Sequence, residues 1–262
     1  APTAGRTHSG SKSQYAVAMY STAPQSSLLL NTGTIDINGA ASGTPLANIG
    51  ILADDNGAAG TGAIARNAGT INLNGINGVG IKVNANPGAQ ANAESTGVIN
   101  VNGNADPASG TRNFGVWVDG PGAVANVSGA INLSGKGAIG AFAQDGGTIN
   151  IAAGADPKFL AGSDQIGYFA SGANSKINVA ATTMAVNTDR STLFRVADGA
   201  SYTGSSAGGA LNVTVSGQDA RGVVATGVGT TLSTGASTNN VTGPAGTGGG
   251  AVAISTEGGA TG

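Results

Sequence analysis

Asp54 and Asp55 are an adjacent carboxylate pair and the first place to look for general acid–base chemistry. Cleaving a glycosidic bond needs a raised-pKa acid facing a second carboxylate across the bond, usually with a basic group close by. Neighbouring residues on a strand point to opposite faces, so these two cannot address one bond. With Asn56-Gly57 behind them they read as a solvated turn, a weak calcium site being the alternative. His8 is the only histidine and falls in a polar lead-in, which leaves Ser-His-Asp catalysis or a histidine metal site almost no material. Gly135-Lys136-Gly137-Ala138-Ile139-Gly140 has the spacing of a dinucleotide cradle, but no helical pattern follows to supply the anion-binding N-terminus. Asn126-Val127-Ser128, Asn212-Val213-Thr214 and Asn240-Val241-Thr242 fit the glycosylation acceptor, a fit that any Asn/Ser/Thr-rich chain produces by chance. Tandem Gly-Gly-x-Gly-x-Asp calcium repeats are missing, and Thr182-Thr183 and Thr230-Thr231 are too isolated to form ice-binding ranks. The expectation is therefore no catalytic residue, no metal site and no cofactor.

The elements that would position any such group follow from composition and repeats. The 262 residues include 47 Gly, 40% are hydrophobic, and only 9% are charged and 4% aromatic. A globular enzyme of this size carries about a quarter charged residues, whereas a disordered chain would not space its β-branched residues so regularly. With a net charge of -2 and no Lys/Arg run, nothing favours nucleic acid or an anionic membrane. Cysteine is absent, which removes disulfide and thiolate frameworks and suits a chain that crosses an oxidising compartment unfolded.

Two short motifs alternate. The first, Gly-x-Ile-Asn/Asp-aliphatic, occurs as Gly33–Ile37, Gly69–Leu73, Gly97–Val101, Gly129–Leu133 and Gly147–Ile151, with weaker copies at Lys176–Val179 and Ala210–Val213. The second, aliphatic-Gly-aliphatic-x-small, occurs as Ile49–Ala53, Val79–Val83, Phe114–Val118, Ile139–Ala143 and Ile166–Ala170, with degenerate copies at Ala16–Met19 and Gly222–Ala225. Period-two alternation makes both motifs strands. Asn-Gly and Asp-Gly pairs between them turn the chain, and recurrence at roughly 25 to 35 residues is solenoid spacing, one pair of motifs to a coil. Like strands then stack on like, thin aliphatic layers replace a globular core, and the inserts 40–46, 104–112 and 154–164 leave as loops that hold Pro45, Pro107 and Pro157.

This register places one functional constellation. In the second motif the residues flanking the centre face inward and the central one faces out. Coil by coil the outward position reads Leu52, Lys82, Trp117, Phe142 and Phe169, with Phe194 next if Leu193 is its inward neighbour. Stacked about 4.8 Å apart, the rings would form an exposed strip, a costly feature that marks a partner site unless a loop covers it. Arg112, Arg190 and Arg195 would supply its polar rim.

The run Asn67-Ala68-Gly69-Thr70-Ile71-Asn72-Leu73-Asn74-Gly75, then Gly78-Val79-Gly80-Ile81, resembles the passenger domains of type Va, pertactin-like autotransporters, over residues 28–262. The resemblance implies an all-β, right-handed parallel β-helix, here of roughly eight to nine coils. It also implies export by type V secretion, display on the bacterial surface or release, and a role as adhesin or host-protein-binding virulence factor. The chain carries no translocator barrel, Arg-Gly-Asp motif or Gly-Asp-Ser-Gly protease signature. The expected organisation is a polar lead-in, 1–14, and one β-helix domain, 15–262, truncated at its C-terminal end and already without an export signal. Expected partners are a host protein or surface glycan, through Trp117, Phe142, Phe169, Phe194, Arg112 and Arg195. Self-association through Asn-rich ladders is open, and membrane contact would come only through a barrel outside this chain. A glycan-cleaving β-helix enzyme is the competing reading, and converging carboxylates and basic residues in a groove would mark it.

Overall fold

The computed structural model describes residues 6–8, 16–22, 28–39, 42–43, 48–55, 62–180, 183–204, 211–235, 237–241 and 251–261. These form a right-handed parallel β-solenoid with three faces, visited in a fixed order in every coil. The first face is nine-stranded and runs from Val17–Thr22 through Asn48–Asp55, Gly78–Ala85, Phe114–Asp119, Ile139–Gln144, Ile166–Ser171, Thr192–Ala197 and Arg221–Thr226 to Val252–Glu257. The second is eight-stranded, from Leu28–Asn31 to Thr231–Ser233. The third joins a six-stranded sheet, Arg6–His8 to Pro157–Phe159, to a three-stranded one, Thr183–Val186 to Ser237–Val241. The solenoid makes about seven turns, close to the expected eight to nine coils.

The stacking of like on like is visible in the register. Ile71 pairs with Ile99 and Ile99 with Ile131, while Ile51 pairs with Ile81 and Ile81 with Val116. All of these are at most 1% exposed and lie in one continuous core. Each buried Ile or Leu contributes about 1.5–3 kcal/mol, so many thin layers add up to a core without aromatic bulk.

The coil has three strands rather than the two expected. The strand overlooked is Ala63–Asn67, Ala91–Ser95 and Ala123–Val127, whose Ala-x-Ala spacing puts Ala63, Ala65, Ala91, Ala93, Ala123 and Ala125 into the core. Such small side chains give little hydrophobic signal, yet they let this face approach the other two closely. The first motif is also not confined to one face: its copies from Thr34–Ile37 to Ile131–Leu133 stack on the third, whereas Thr148–Ile151 and Lys176–Val179 stack on the second.

The outward residue of that motif is Asn for a physical reason. Asn72 Nδ2 donates to Asp36 Oδ1, Asn100 to Asn72 and Asn132 to Asn100, each at 2.7 Å, so one amide per coil satisfies the next. A second ladder runs from Asn178 to Asn150 at 2.9 Å and from Asn150 to Asn126 at 3.0 Å.

Other expectations are corrected by the strands. The insert 154–164 does not leave as a loop: Pro157–Phe159 pairs with Ile131–Leu133, and Phe159 enters the core. Proline is tolerated there because this strand ends its sheet. Asp54 and Asp55 close a strand instead of forming a turn. Within the lead-in, Arg6–His8 pairs with the strand Thr34–Ile37. Of the insert 40–46 only Ser42 and Gly43 are described, and Pro45, Asn56 and Gly57 lie outside the described residues.

Tyr168 and Tyr202 flank Phe194 inside the later coils, at centroid distances of 5.8 and 4.8 Å. Burial pushes both phenols well above their ordinary value of 10.0. Folding then retains protons that the unfolded chain releases once the pH passes about 10, so stability is intact below that point and falls above it. Each tyrosine steepens the fall by up to about 1.4 kcal/mol per pH unit. The double variant Tyr168→Phe, Tyr202→Phe should therefore show a flatter alkaline decline in denaturant stability than the parent. Identical slopes would show that these phenols are free to ionise in the fold.

Candidate partner-binding groove

The outer side of the first face carries the candidate site, and glycine shapes it. From Gly50 to Gly140 the Gly of the second motif faces the tips of core isoleucines, and Gly167 faces Pro157 and Phe159 instead. A Cβ on Gly80 would sit 3.3 Å from Ile99 Cγ2, and one on Gly115 3.3 Å from Ile131 Cγ2. It would also lie 2.5 Å from the carbonyl oxygen of the next glycine, Gly115 O for Gly80 and Gly140 O for Gly115. With inward side chains thus excluded, the residues on either side of the Gly break the period-two rule. The aliphatic residue before it turns outward as well, three positions ahead of the outward central residue.

Two outward columns result. Ile49, Leu52 and Val79 form a small cluster separate from the main core, with Val17, Phe114 and Trp117 packed against it. Farther along, Phe114, Ile139, Ile166, Trp117, Phe142 and Phe169 line a groove of about 360 Å³ walled by Gly110, Thr111 and Arg112 and closed by Arg195. The sequence reading missed Phe114, Ile139 and Ile166 because strict alternation assigns them no outward role. The Gly that follows each of them is the signal that could have exposed it.

The structure places Trp117, Phe142 and Phe169 side by side as expected, paired in register. Trp117 and Phe142 have centroids 5.9 Å apart, Phe142 and Phe169 stack at 4.9 Å, and Phe114 lies 4.9 Å from Trp117. Phe194 is not among them. It pairs with Tyr168 and is wholly buried, while Arg195 pairs with Phe169 and takes the outward place. Leu193 occupies the glycine column, against Gly167, which shifts the expected alignment by one residue. Leu52 is outward but 4% exposed, covered by its cluster.

The strip is capped at both ends by cations. Lys82 Nζ lies 4.3 Å from the Trp117 ring centroid, and the Arg195 guanidinium carbon 5.1 Å from that of Phe169. Such contacts are worth about 0.5–2 kcal/mol each according to how dry they are. Among the described residues neither cation forms an ion pair, whereas Arg66, Lys158, Arg190 and Arg221 all do. Arg112 is committed to the wall, its Nη1 donating to Asp164 O at 3.0 Å and Gly137 O at 3.4 Å. Its pKa is lowered, first by burial and then by the neighbouring Arg195 charge.

The chain matches no family model, curated protein or solved structure against which it was compared. Its chemistry is therefore read from its own side chains, and the carboxylates are a telling case. Asp55 is 1% exposed and accepts from Gln90 N at 3.2 Å, while Asp54 faces the other way, toward the Tyr20 hydroxyl at 3.4 Å. Asp106 is buried and receives Ser42 Oγ at 2.6 Å, Gly43 N at 2.7 Å, Ala108 N at 3.0 Å and Ser109 Oγ at 2.8 Å, which hold it far below the usual carboxylate range. Asp164 is brought down to about 2, chiefly by Arg190, whose Nε donates to Oδ1 at 2.8 Å. Arg190 is thereby tied up in this pair rather than offered as rim.

Proposed function

We propose that this chain is a non-catalytic, displayed solenoid of the autotransporter passenger kind, acting as an adhesin or host-binding surface through the strip around Trp117. The cation-capped run of rings, partly exposed on the outer side of a rigid sheet, carries this reading. Rings and arginine held on a preorganised scaffold are what binding hot spots are made of, because little entropy is lost on contact. The repeat motif supports the passenger kind, and the parallel solenoid is compatible with it. At the strip itself no carboxylate pair among the described residues forms a hydrolytic cleft: Asp54 and Asp55 diverge, Asp106 and Asp164 are held in structural hydrogen bonds, and the hollow that Asp54, Asp119 and Asp145 share with Lys82 lies beyond the end of the rings.

Beads coated with the folded chain should adhere to host-cell surfaces, and the Trp117→Ala, Phe142→Ala double variant should lose at least about tenfold in binding, or 1.4 kcal/mol. The variant must first show an unchanged β-sheet circular dichroism spectrum. Adhesion that is absent from the parent, or undiminished in the variant, would overturn the reading.

A further inference from the structure

The chemistry of the groove narrows what it would hold; this step rests on the strip being the binding face. We propose that the occupant is a linear acidic oligosaccharide of the uronate type, lying along the solenoid axis. Three observations lead there. First, the rings sit in the middle of a sheet where every strand is already paired on both sides, so an extended peptide finds no edge to extend. Recognition falls to side chains alone, and flat rings in a row offer apolar area that matches the CH faces of successive pyranoses.

Second, the groove wants acceptors. Trp117 Nε1 and Arg195 Nε are out of contact with solvent, and among the described residues neither has a hydrogen-bond partner. Both are donors, and a buried donor left unpaired costs about 1–3 kcal/mol until an acceptor arrives. Hydroxyl and carboxylate oxygens of a sugar acid would supply those acceptors once the Trp117 ring and the Arg195 guanidinium turn to expose their N–H groups.

Third, the groove between the caps holds positive charge alone, although Asp54, Asp119 and Asp145 share a hollow with Lys82, and Asp219 and Glu257 one with Arg195. Among the described residues no carboxylate lines the groove, while Arg112 and Arg195 do, and Lys82 stands at the far end of the strip. Lys82 and Arg195 are four strand steps apart in register, roughly 19 Å at 4.8 Å per step. A ligand with a carboxylate on every ring meets both caps in any sliding register, which a single terminal acid cannot do.

The chain itself supplies the probe, because Trp117 is its only tryptophan. Titration with hexagalacturonate should change the Trp117 fluorescence saturably. The fully methyl-esterified hexamer, digalacturonate against the parent, and the hexamer against Arg195→Gln should each bind at least about tenfold more weakly, the loss of one charge-assisted contact. Raising the salt should weaken the acid hexamer and leave the ester unchanged. Equal binding of acid and ester, or undiminished binding to Arg195→Gln with its spectrum intact, would overturn the proposal. So would the absence of any saturable signal from the hexamer. If that last result came with strip-dependent adhesion of coated beads, the uronate would be wrong and the binding face right; if adhesion also failed, both would fall.

Discussion

Gly115→Val should be among the most damaging single substitutions in the molecule. An added Cβ would stand 2.5 Å from Gly140 O and 3.3 Å from Ile131 Cγ2, in a column where backbone meets backbone and neither coil can yield alone. Overpacking of this sort costs about 3 kcal/mol, or roughly 6–12 °C in melting temperature for a chain of this length. Gly110 is the control: its φ is +73° and no described residue lies within 4 Å of an added Cβ, so Gly110→Ala should meet mainly backbone strain, about 1–2 kcal/mol. Melting followed by circular dichroism separates the two. A Gly115→Val protein that melts no lower than Gly110→Ala would show that the glycines are not closing the coil.

The same column explains what the sequence could and could not disclose. The two motifs are complementary halves of one contact, since the Ile of Gly-x-Ile-Asn presses its Cγ2 against the Gly of aliphatic-Gly-aliphatic. Both signals are strong because both are needed in the layers from Gly50 to Gly140, and strand type, parallel stacking and most core positions were legible from them. The earlier strands of the second face, Ala63–Asn67 to Ala123–Val127, were not, because alanines packed on alanines satisfy the geometry without a hydrophobic pattern, and Asn92, Glu94 and Asn126 between them add no strand signal. Pro157–Phe159 was hidden in the same way by its proline, though the edge of a sheet removes the objection.

At the site, the central rings were readable and their surroundings were not. Trp117, Phe142 and Phe169 follow from counting two residues on from each Gly. Phe114, Ile139 and Ile166 require knowing that the chain bends at that Gly, which is a property of coil-to-coil contact and not of local alternation. The cations at the two ends of the strip, in line with the rings, bear on function as well as register. A ring column bare at both ends is a hydrophobic surface, whereas one ending in Lys82 and Arg195, which form no ion pair among the described residues, has a preferred sign of partner.

The error at Phe194 leads to a decisive comparison of two phenylalanines one coil apart. Phe194 is 0% exposed and packed between Tyr168 and Tyr202, so Phe194→Ala removes a ring from a filled interior and should cost about 3–5 kcal/mol. Phe169, on the outer side and only partly covered, loses its stack with Phe142 and its contact with Arg195, about 1.5 kcal/mol or less. In a solenoid the larger loss does not stay local. Each coil is stabilised by its neighbours, so a hole at Phe194 uncouples the coils beyond Thr192–Ala197 from those before it. Phe194→Ala should therefore broaden the denaturant transition or split it in two, with hydrogen exchange quickening first in residues 211–241. Phe169→Ala should keep a single transition near that of the parent and lose the groove's function. If Phe169→Ala proved the more destabilising of the two, Leu193 would not stand in the glycine column, and the order in which rings and arginine face outward would have to be reversed.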